Sequence, residues 1–287
     1  MNESVKRCTD PVALNMWHPV VAVAELTPSE SAQTLLLGHN IRYGLVVDGD
    51  VQIELTDEPS RMLPVRVRYG YAWTCLGEPN GDVFDIPEAD EPDRRSMNAG
   101  SIKVATSAPR AIENFLDMGH FPYVHAGLLG EEPHTEVVEY DVQVENGEVW
   151  ARECYFYQPV AAASASGGQM SEYTYRVPHP YCVMLFKSVP TDPSRRDVIA
   201  VFIQPMTEET IRAHNFLSVV DETNSDNLLR RFQQVIFSQD KPILENQYPK
   251  RLPLDPRVET PIRADQSAIV YRRWLSDLGL TYAVIPA

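Results

Sequence analysis

Apolar and polar positions alternate in short runs through the first part of the chain, at 20–24, 34–37, 41–47, 51–55, 65–67 and 71–75. A period of two is the pattern of half-buried strands, and the separators Asp48-Gly49-Asp50 and Pro59-Ser60 supply turn chemistry. A small β-rich unit is expected there. Asn80-Gly81 and the acidic, proline-bearing stretch 86–95 read as a linker or as a strap over the next domain.

The pattern changes after Ser101. Ser107 is placed to cap a helix with Pro109 in its first turn, and that helix is expected to reach about Gly119 or His120, because Pro122 disfavours its continuation. On a helical wheel Glu113, Asn114, Asp117 and His120 share an arc of about 120°, opposite Ile112, Phe115, Leu116 and Gly119. A solvated polar face accounts for such an arc, and Glu113 suits it. A histidine close to Met118 and Phe121 suits it less well.

Strand patterns then return. Val142 and Val144 lead into Asn146-Gly147, a strong hairpin turn, and 149–156 runs back. Further runs at 170–177, 182–188, 198–205 and 211–220 are joined by Pro178-His179-Pro180 and Pro193-Ser194-Arg195-Arg196, which gives an antiparallel meander. Residues 161–168 read as a mobile loop. From Asn224 onward Leu228, Phe232, Ile236 and Asp240 recur every fourth residue, with Leu229 and Val235 beside them. That spacing predicts a helix whose one buried face ends in a carboxylate, kinked or stopped by Pro242. A long helix across a curved antiparallel sheet is an α+β helix-grip arrangement. It is expected over 96–287, behind a small β unit and linker in 1–95.

The net charge of −15 argues against a nucleic-acid binder and suits a soluble protein or one that docks a basic partner. No run of 18 apolar residues predicts a membrane span, and Met1 to Asp10 lacks the apolar stretch of a signal peptide. Cys8, Cys75, Cys154 and Cys182 are far apart and form no C-x-x-C. Four free thiols in a reducing cytoplasm are expected, with neither a disulfide framework nor a cysteine-bound zinc.

The chemistry concentrates in Glu113–Asn114–Phe115–Leu116–Asp117–Met118–Gly119–His120–Phe121–Pro122–Tyr123–Val124–His125. Two imidazoles with a carboxylate from elsewhere can make the facial triad of non-haem Fe(II) oxygenases, which leaves one side of the metal open. His120 and His125 stand about 140° apart on an ideal helix, so an unbroken helix cannot bring them to one metal. A break at Pro122 lets His125 swing back. Asp240 is the best third ligand, since the register of its helix points it inward. His18, His39, His134, His179 and His214 have no paired context and read as structural or surface residues.

This segment resembles the iron-binding signature E/D-N-x-x-D-x-x-H-x-x-x-x-H of Rieske non-haem iron oxygenase catalytic subunits, with every fixed position filled. Trp17-His18-Pro19-Val20, Leu36-Leu37-Gly38 and Tyr71-Ala72-Trp73-Thr74-Cys75-Leu76-Gly77-Glu78-Pro79 are similar to the opening strands and the exit of that family's Rieske domain. Residues 236–247 resemble the helix that bears its third ligand. The resemblance implies a START-like helix-grip catalytic domain and Fe(II) held by His120, His125 and Asp240. It also implies an electron-bridging role for Asp117, a supporting role for Asn114, and a threefold, trimer-based assembly. A β unit as small as 17–76 is expected to lean on a neighbour, although lost cluster loops remove part of the ring interface.

One part of the family pattern is missing. A Rieske [2Fe–2S] cluster takes two Cys and two His, in this family from C-x-H and C-x-x-H, and none of the four cysteines begins either motif. Glu91-Pro92-Asp93-Arg94-Arg95, 110–117 and Lys250-Arg251-Leu252-Pro253-Leu254 resemble the cluster-less branch of the family that N7-demethylates methylxanthines in bacterial caffeine degradation. That resemblance runs from Trp17 to Tyr282. It implies conversion of 7-methylxanthine and dioxygen to xanthine and formaldehyde. Electrons would come from a separate reductase carrying the Rieske centre, FMN and [2Fe–2S] centres and using NADH, and a glutathione-transferase-like structural subunit is a further implied partner. Two other readings stay open at this point: an iron-free binding or structural subunit on the same scaffold, and an oxygenase for another small heterocycle or aromatic ether. Tyr173, Tyr175, Phe186, Phe202, Gln204 and Phe216 are candidates for a flat apolar pocket, but alternation does not say which point inward.

Overall fold

Short alternating runs at the start of the chain become two small sheets. In the computed structural model, which describes residues 5–46, 48–56, 61–160, 167–189 and 192–287, a one-turn helix α1 (Pro11–Leu14) precedes six strands. These are β1 (His18–Ala22), β2 (Ser31–Leu36), β3 (His39–Leu45), β4 (Val51–Leu55), β5 (Val65–Arg68) and β6 (Tyr71–Thr74). They pair antiparallel in the orders β1-β6-β5 and β2-β3-β4. The Pro59-Ser60 turn and residues 161–166 of the expected loop lie outside the described residues.

Sheets of three short strands cannot bury a core by themselves. Their support comes from the same chain. Leu37 and Gly38 N–H donate to the carbonyls of Pro205 and Met206 at 2.7 and 2.8 Å. The Tyr71 hydroxyl lies 2.7 Å from both Asn98 Oδ1 and the Asn215 carbonyl. One apolar cluster joins Val20, Leu36 and Ile53 to Val177, Ile203 and Tyr282. The stretch 86–95 is a strap: Arg94 and Arg95 donate to the carbonyls of Ser218 and Asp221, and Arg195 pairs with Glu91 and Asp93.

The large sheet holds β7 (Arg95–Val104), β8 (Asp141–Glu145), β9 (Glu148–Gln158), β10 (Gln169–His179), β11 (Cys182–Val189), β12 (Asp192–Thr207) and β13 (Thr210–Val219). Its order is β7-β13-β12-β11-β10-β9-β8. The chain leaves β7 at one edge, crosses through α2 (Ala108–Leu116) and α3 (Phe121–Val124), and re-enters as β8 at the other. Meandering then returns it to β7. The expected Pro193-Ser194-Arg195-Arg196 turn is instead strand, the start of β12, held extended by the Arg195 pairs and by the register Ser188↔Arg196.

Helix α4 (Asp226–Asn246) covers the β7 edge, whose carbonyls have no strand partner on that side. Arg230, Gln234 and Lys241 donate to the carbonyls of Asn98, Ala99 and Lys103 at 2.9, 3.1 and 2.9 Å. Gly100, at φ +104°, permits this contact, since a β carbon there would come within 2.7 Å of Gln234 Nε2. These bonds set the rotation of the helix. Leu229, Gln233, Ile236, Phe237 and Leu244 are buried, while Leu228 and Val235, expected inside, are exposed. Pro242 does not stop the helix. Beyond it Leu244 is buried, Lys241 pairs with Glu245, and Lys250 Nζ donates to the Glu245 carbonyl at 2.9 Å. The chain closes with α5 (Gln266–Asp277) and a two-residue parallel pair, β14 (Leu252–Pro253) with β15 (Val284–Ile285). Among the described residues no helix is long and apolar enough to cross a membrane.

Glu113 departs from the solvated face its wheel position suggests. It is buried, with Oε1 2.6 Å from Arg272 Nε and Oε2 2.9 Å from Arg272 Nη2 and 3.3 Å from Arg110. Glu259 completes the network at 2.5 Å from Arg110, and it also pairs with Arg272. The four charges clamp α2 to α5. Truncating one member leaves buried guanidinium charge uncompensated, so Glu113→Ala should lower unfolding stability by about 3–5 kcal/mol. Denaturant titration measures this, and a change under about 1 kcal/mol would contradict it.

Candidate metal centre

Three side chains converge where α2 breaks: His120 and His125, which flank one short helix, and Asp240 from α4. The helix is capped by Ser107 and ends at Leu116, short of the Gly119 or His120 expected from the position of Pro122, because Asp117 is already extended (ψ 119°). Asp117 Oδ1 accepts the Gly119 N–H at 2.7 Å and turns the chain. His120 then caps the one-turn helix α3, with Pro122 in its first turn. Proline lacks the N–H that a first turn leaves unused, so Pro122 starts a helix here as well as preventing a longer one. That single turn carries His125 back towards His120. Gly130 makes room: a β carbon there would lie 2.7 Å from Pro122 N.

His120 Nε2 and His125 Nε2 stand 3.2 Å apart. Asp240 Oδ1, from α4, lies 3.4 Å from the first and 3.1 Å from the second. The other ring nitrogens face outward, His120 Nδ1 to Asp117 Oδ2 at 3.1 Å and His125 Nδ1 to Gln239 Oε1 at 2.9 Å. A carboxylate and an amide oxygen can only accept, so each Nδ1 bears the hydrogen and each Nε2 presents its lone pair inward. Asp240 Oδ1 is buried and accepts no hydrogen bond of good geometry. Three acceptors facing one another repel unless a cation sits among them. Ligands about 2.1 Å from a metal and at right angles are about 3 Å apart, close to the spacing found here. The donor set, two imidazoles and one carboxylate, suits the facial triad of Fe(II).

Electrostatics point the same way. Burial lowers the His120 imidazole, but the hydrogen bond to Asp117 and its pairing with the Asp117 and Asp240 charges outweigh it and hold it up at about 9. Burial raises the Asp240 carboxyl, yet the two histidines more than offset this and keep it below the ordinary range. Without metal, a proton on His120 takes the place that a divalent cation would fill.

The triad separates two recesses. An outer cleft is bordered by Glu113, Asn114, Asp117, His120, Glu259 and Arg272. An inner cavity lies between α4 and the sheet, where Phe115, Phe121, Tyr173, Tyr175, Leu185 and Ile199 surround His120, His125 and Asp240. Asn114 and His120 border both. The Asp117 side chain is 34% exposed and so connects the outer cleft to His120. Of the aromatic candidates, Tyr173 and Tyr175 face the cavity. Phe186, Phe202 and Phe216 pack behind the sheet against Trp73 and Met184, and Gln204 donates to the Leu35 carbonyl. Gln239, Lys187 and Gln233 at the site were not singled out from sequence. Adjacency to Asp240 is a signal for Gln239. Nothing local in the sequence marks the other two.

The other histidines are accounted for. His18, His179 and His214 are buried, with the first donating to the Ala13 carbonyl, His39 Nε2 lies 3.3 Å from the Cys8 carbonyl, and His134 packs on Tyr157 at 4.2 Å. All four cysteines are buried and free.

The region described as vanillate O-demethylase oxygenase C-terminal domain matches residues 104–280. The probable methylxanthine N7-demethylase NdmC of Pseudomonas sp. (strain TJI-51) is 46% identical over 268 residues, which cover 93% of this chain and 94% of that protein. Methylxanthine N3-demethylase NdmB of Pseudomonas putida is 28% identical over 75% of this chain and 59% of its own length. Among solved structures, Pseudomonas putida CBB5 NdmA with caffeine superposes with a TM-score of 0.74 at 20% identity, covering 91% of this chain and 90% of that one. Dicamba monooxygenase bound to 3,6-dichlorosalicylic acid gives 0.76 at 17% identity, over 93% and 97%. At such identities the structural likeness is one of fold.

The raised His120 gives a pH signature to the metal-free chain. Its folded value lies above the ordinary 6.5, so its stabilising pairs are fully present below pH 6.5 and are lost as pH rises through about 9. The melting temperature of iron-stripped protein should fall across that window, and less so in Asp117→Asn. A flat profile would contradict the assignment.

Proposed function

The chain belongs to the Rieske non-haem iron oxygenase catalytic components, and we propose that it is the oxygenase component of a methylxanthine N7-demethylase. The reaction is 7-methylxanthine + O2 + 2 e− + 2 H+ → xanthine + formaldehyde + H2O. The observation that carries this reading is a buried His-His-Asp cluster bordering an apolar cavity, in a chain 46% identical over nearly all its length to a probable N7-demethylase.

His120, His125 and Asp240 are the proposed ligands of a mononuclear Fe(II), which supplies dioxygen activation when bound. The chain's own residues do the rest. Gln239 fixes the tautomer and orientation of His125, and Asp117 does the same for His120. The aromatic and aliphatic walls exclude bulk water from the reacting methyl group. Asp117 is the proposed bridge for electrons arriving at the outer cleft, with Asn114 in a supporting role.

No cysteine in the sequence begins a C-x-H or C-x-x-H motif, so the electrons must come from outside. The proposed donor is a separate reductase that carries the Rieske centre, further [2Fe–2S] and FMN, and oxidises NADH. Residues 1–95 are then a reduced counterpart of the family's Rieske domain, and 96–287 the catalytic domain. A trimer-based assembly and a glutathione-transferase-like structural partner complete the proposal. Light scattering on the chain alone and on the complex tests it, and a strict monomer in both contradicts the trimer.

Purified protein should hold one iron per chain and no acid-labile sulfide. His120→Ala, His125→Ala and Asp240→Ala should each lose iron and activity, and Gln239→Leu should weaken iron binding about 10–100-fold. An iron-free wild type under anaerobic Fe(II) loading would contradict the reading. Asp117→Asn should keep iron and fold but lose about 100-fold or more of reductase-driven turnover, at the upper end of what removing such a partner costs. Unchanged turnover would remove Asp117 from the electron path.

A further inference from the structure

The peptide unit that joins α2 to Asp117 is held from both sides. Its N–H, on Asp117, donates to the Asn114 carbonyl at 3.2 Å. Its carbonyl, on Leu116, is one of the acceptors that a helix C-terminus leaves without an intrahelical partner. It accepts from the Ser267 hydroxyl at 3.3 Å. Leu116 and Ser267 are both buried, so bulk water does not compete for this bond.

Ser267 lies in the first turn of α5 and is itself fixed. Its N–H, which a first helical turn leaves without a backbone partner, donates to the Tyr140 hydroxyl at 3.0 Å. Tyr140 is buried, and its hydroxyl lies 2.7 Å from the Ala264 carbonyl and 3.1 Å from Ser267 Oγ. The phenol thus ties the turn before α5 to the start of that helix. The same stretch walls the outer cleft, where Asp265, Ala268, Ile269 and Arg272 stand with Asp117. Burial raises the Asp265 carboxyl and the Asp117 charge adds to it, in keeping with their place in one cleft. One element therefore sets both the cleft wall and the direction in which the chain leaves α2.

We infer that Ser267, fixed by Tyr140, is a positioning residue for Asp117. It sets the tilt of the last peptide of α2, and so the placement of the Asp117 carboxylate between the outer cleft and His120 Nδ1. The inference rests on the proposed bridging role of Asp117 and names what holds the bridge. Without the Ser267 hydroxyl the Leu116 carbonyl is buried with no donor, a costly state that the peptide relieves by turning. Asp117 turns with it. His125 and Asp240 reach the site from α3 and α4, so iron binding depends on this peptide less than electron delivery does.

Steady-state turnover of 7-methylxanthine by the iron-loaded chain, with NADH and a purified reductase that carries the Rieske centre, tests the assignment. Ser267→Ala and Tyr140→Phe should each lower kcat about tenfold, with iron content and KM for 7-methylxanthine unchanged. Ser267→Thr keeps the hydroxyl and should restore kcat. In an Asp117→Asn background Ser267→Ala should cost nothing further, because residues that act through one another are not additive. Losses that multiply in the double variant overturn the inference. Lost iron, or a KM that rises in step with the fall in kcat, also overturns it, since that is a loosening of the whole site. If Ser267→Ala does not fold, Tyr140→Phe decides alone, because it removes a single oxygen. A loss in Asp117→Asn with none in Ser267→Ala or Tyr140→Phe overturns this inference only. Unchanged turnover in Asp117→Asn overturns the bridging role and this inference with it, and a wild type without turnover overturns the proposed function and both.

Discussion

The structure turns on three lone pairs held within 3.4 Å of one another in a buried place. Two imidazole nitrogens and a carboxylate oxygen do not collect there without a positive charge among them. Everything nearby keeps them in place. Asp117 and Gln239 commit the outward ring nitrogens, α3 returns His125 in one turn, and the β7 carbonyls fix the rotation of α4 so that Asp240 points in. The ion network on α2 and α5 holds the helix end from which this geometry starts.

The same arrangement divides the surroundings by polarity. On the inner side the sheet and α4 offer mainly aromatic and aliphatic walls. On the outer side the cleft is rich in carboxylates and opens to solvent at Asp117. A substrate methyl needs the dry side, and an electron donor needs the exposed one. A chain without cluster-binding cysteine and histidine pairs can therefore still divide the work of the family between two faces, provided that the donor arrives from another protein.

Much of the site was legible because its chemistry is local. The two histidines, Asp117 and Asn114 lie within one short segment, and Asp240 sits in helical register with Ile236 and Phe232. What was not legible depends on distant partners. Glu113 is buried because Arg272, 159 residues away, neutralises it. The buried face of α4 is turned relative to its apolar pattern because side chains bond an uncovered strand edge. Alternation could not tell Tyr175 from Phe202, since the large sheet is covered on both faces and both are fully buried. Pro122 reads as a helix breaker, and nothing before the fold shows that it also starts the turn that delivers His125.

The central claim is that this chain holds one mononuclear ferrous centre with nitrogen and oxygen ligands and no cluster. Mössbauer spectroscopy of protein loaded anaerobically with ⁵⁷Fe tests it most directly. The account predicts a single high-spin Fe(II) doublet, lost in Asp240→Ala and perturbed by 7-methylxanthine. The spectrum of a coupled two-iron centre, or no bound iron at all, would contradict it.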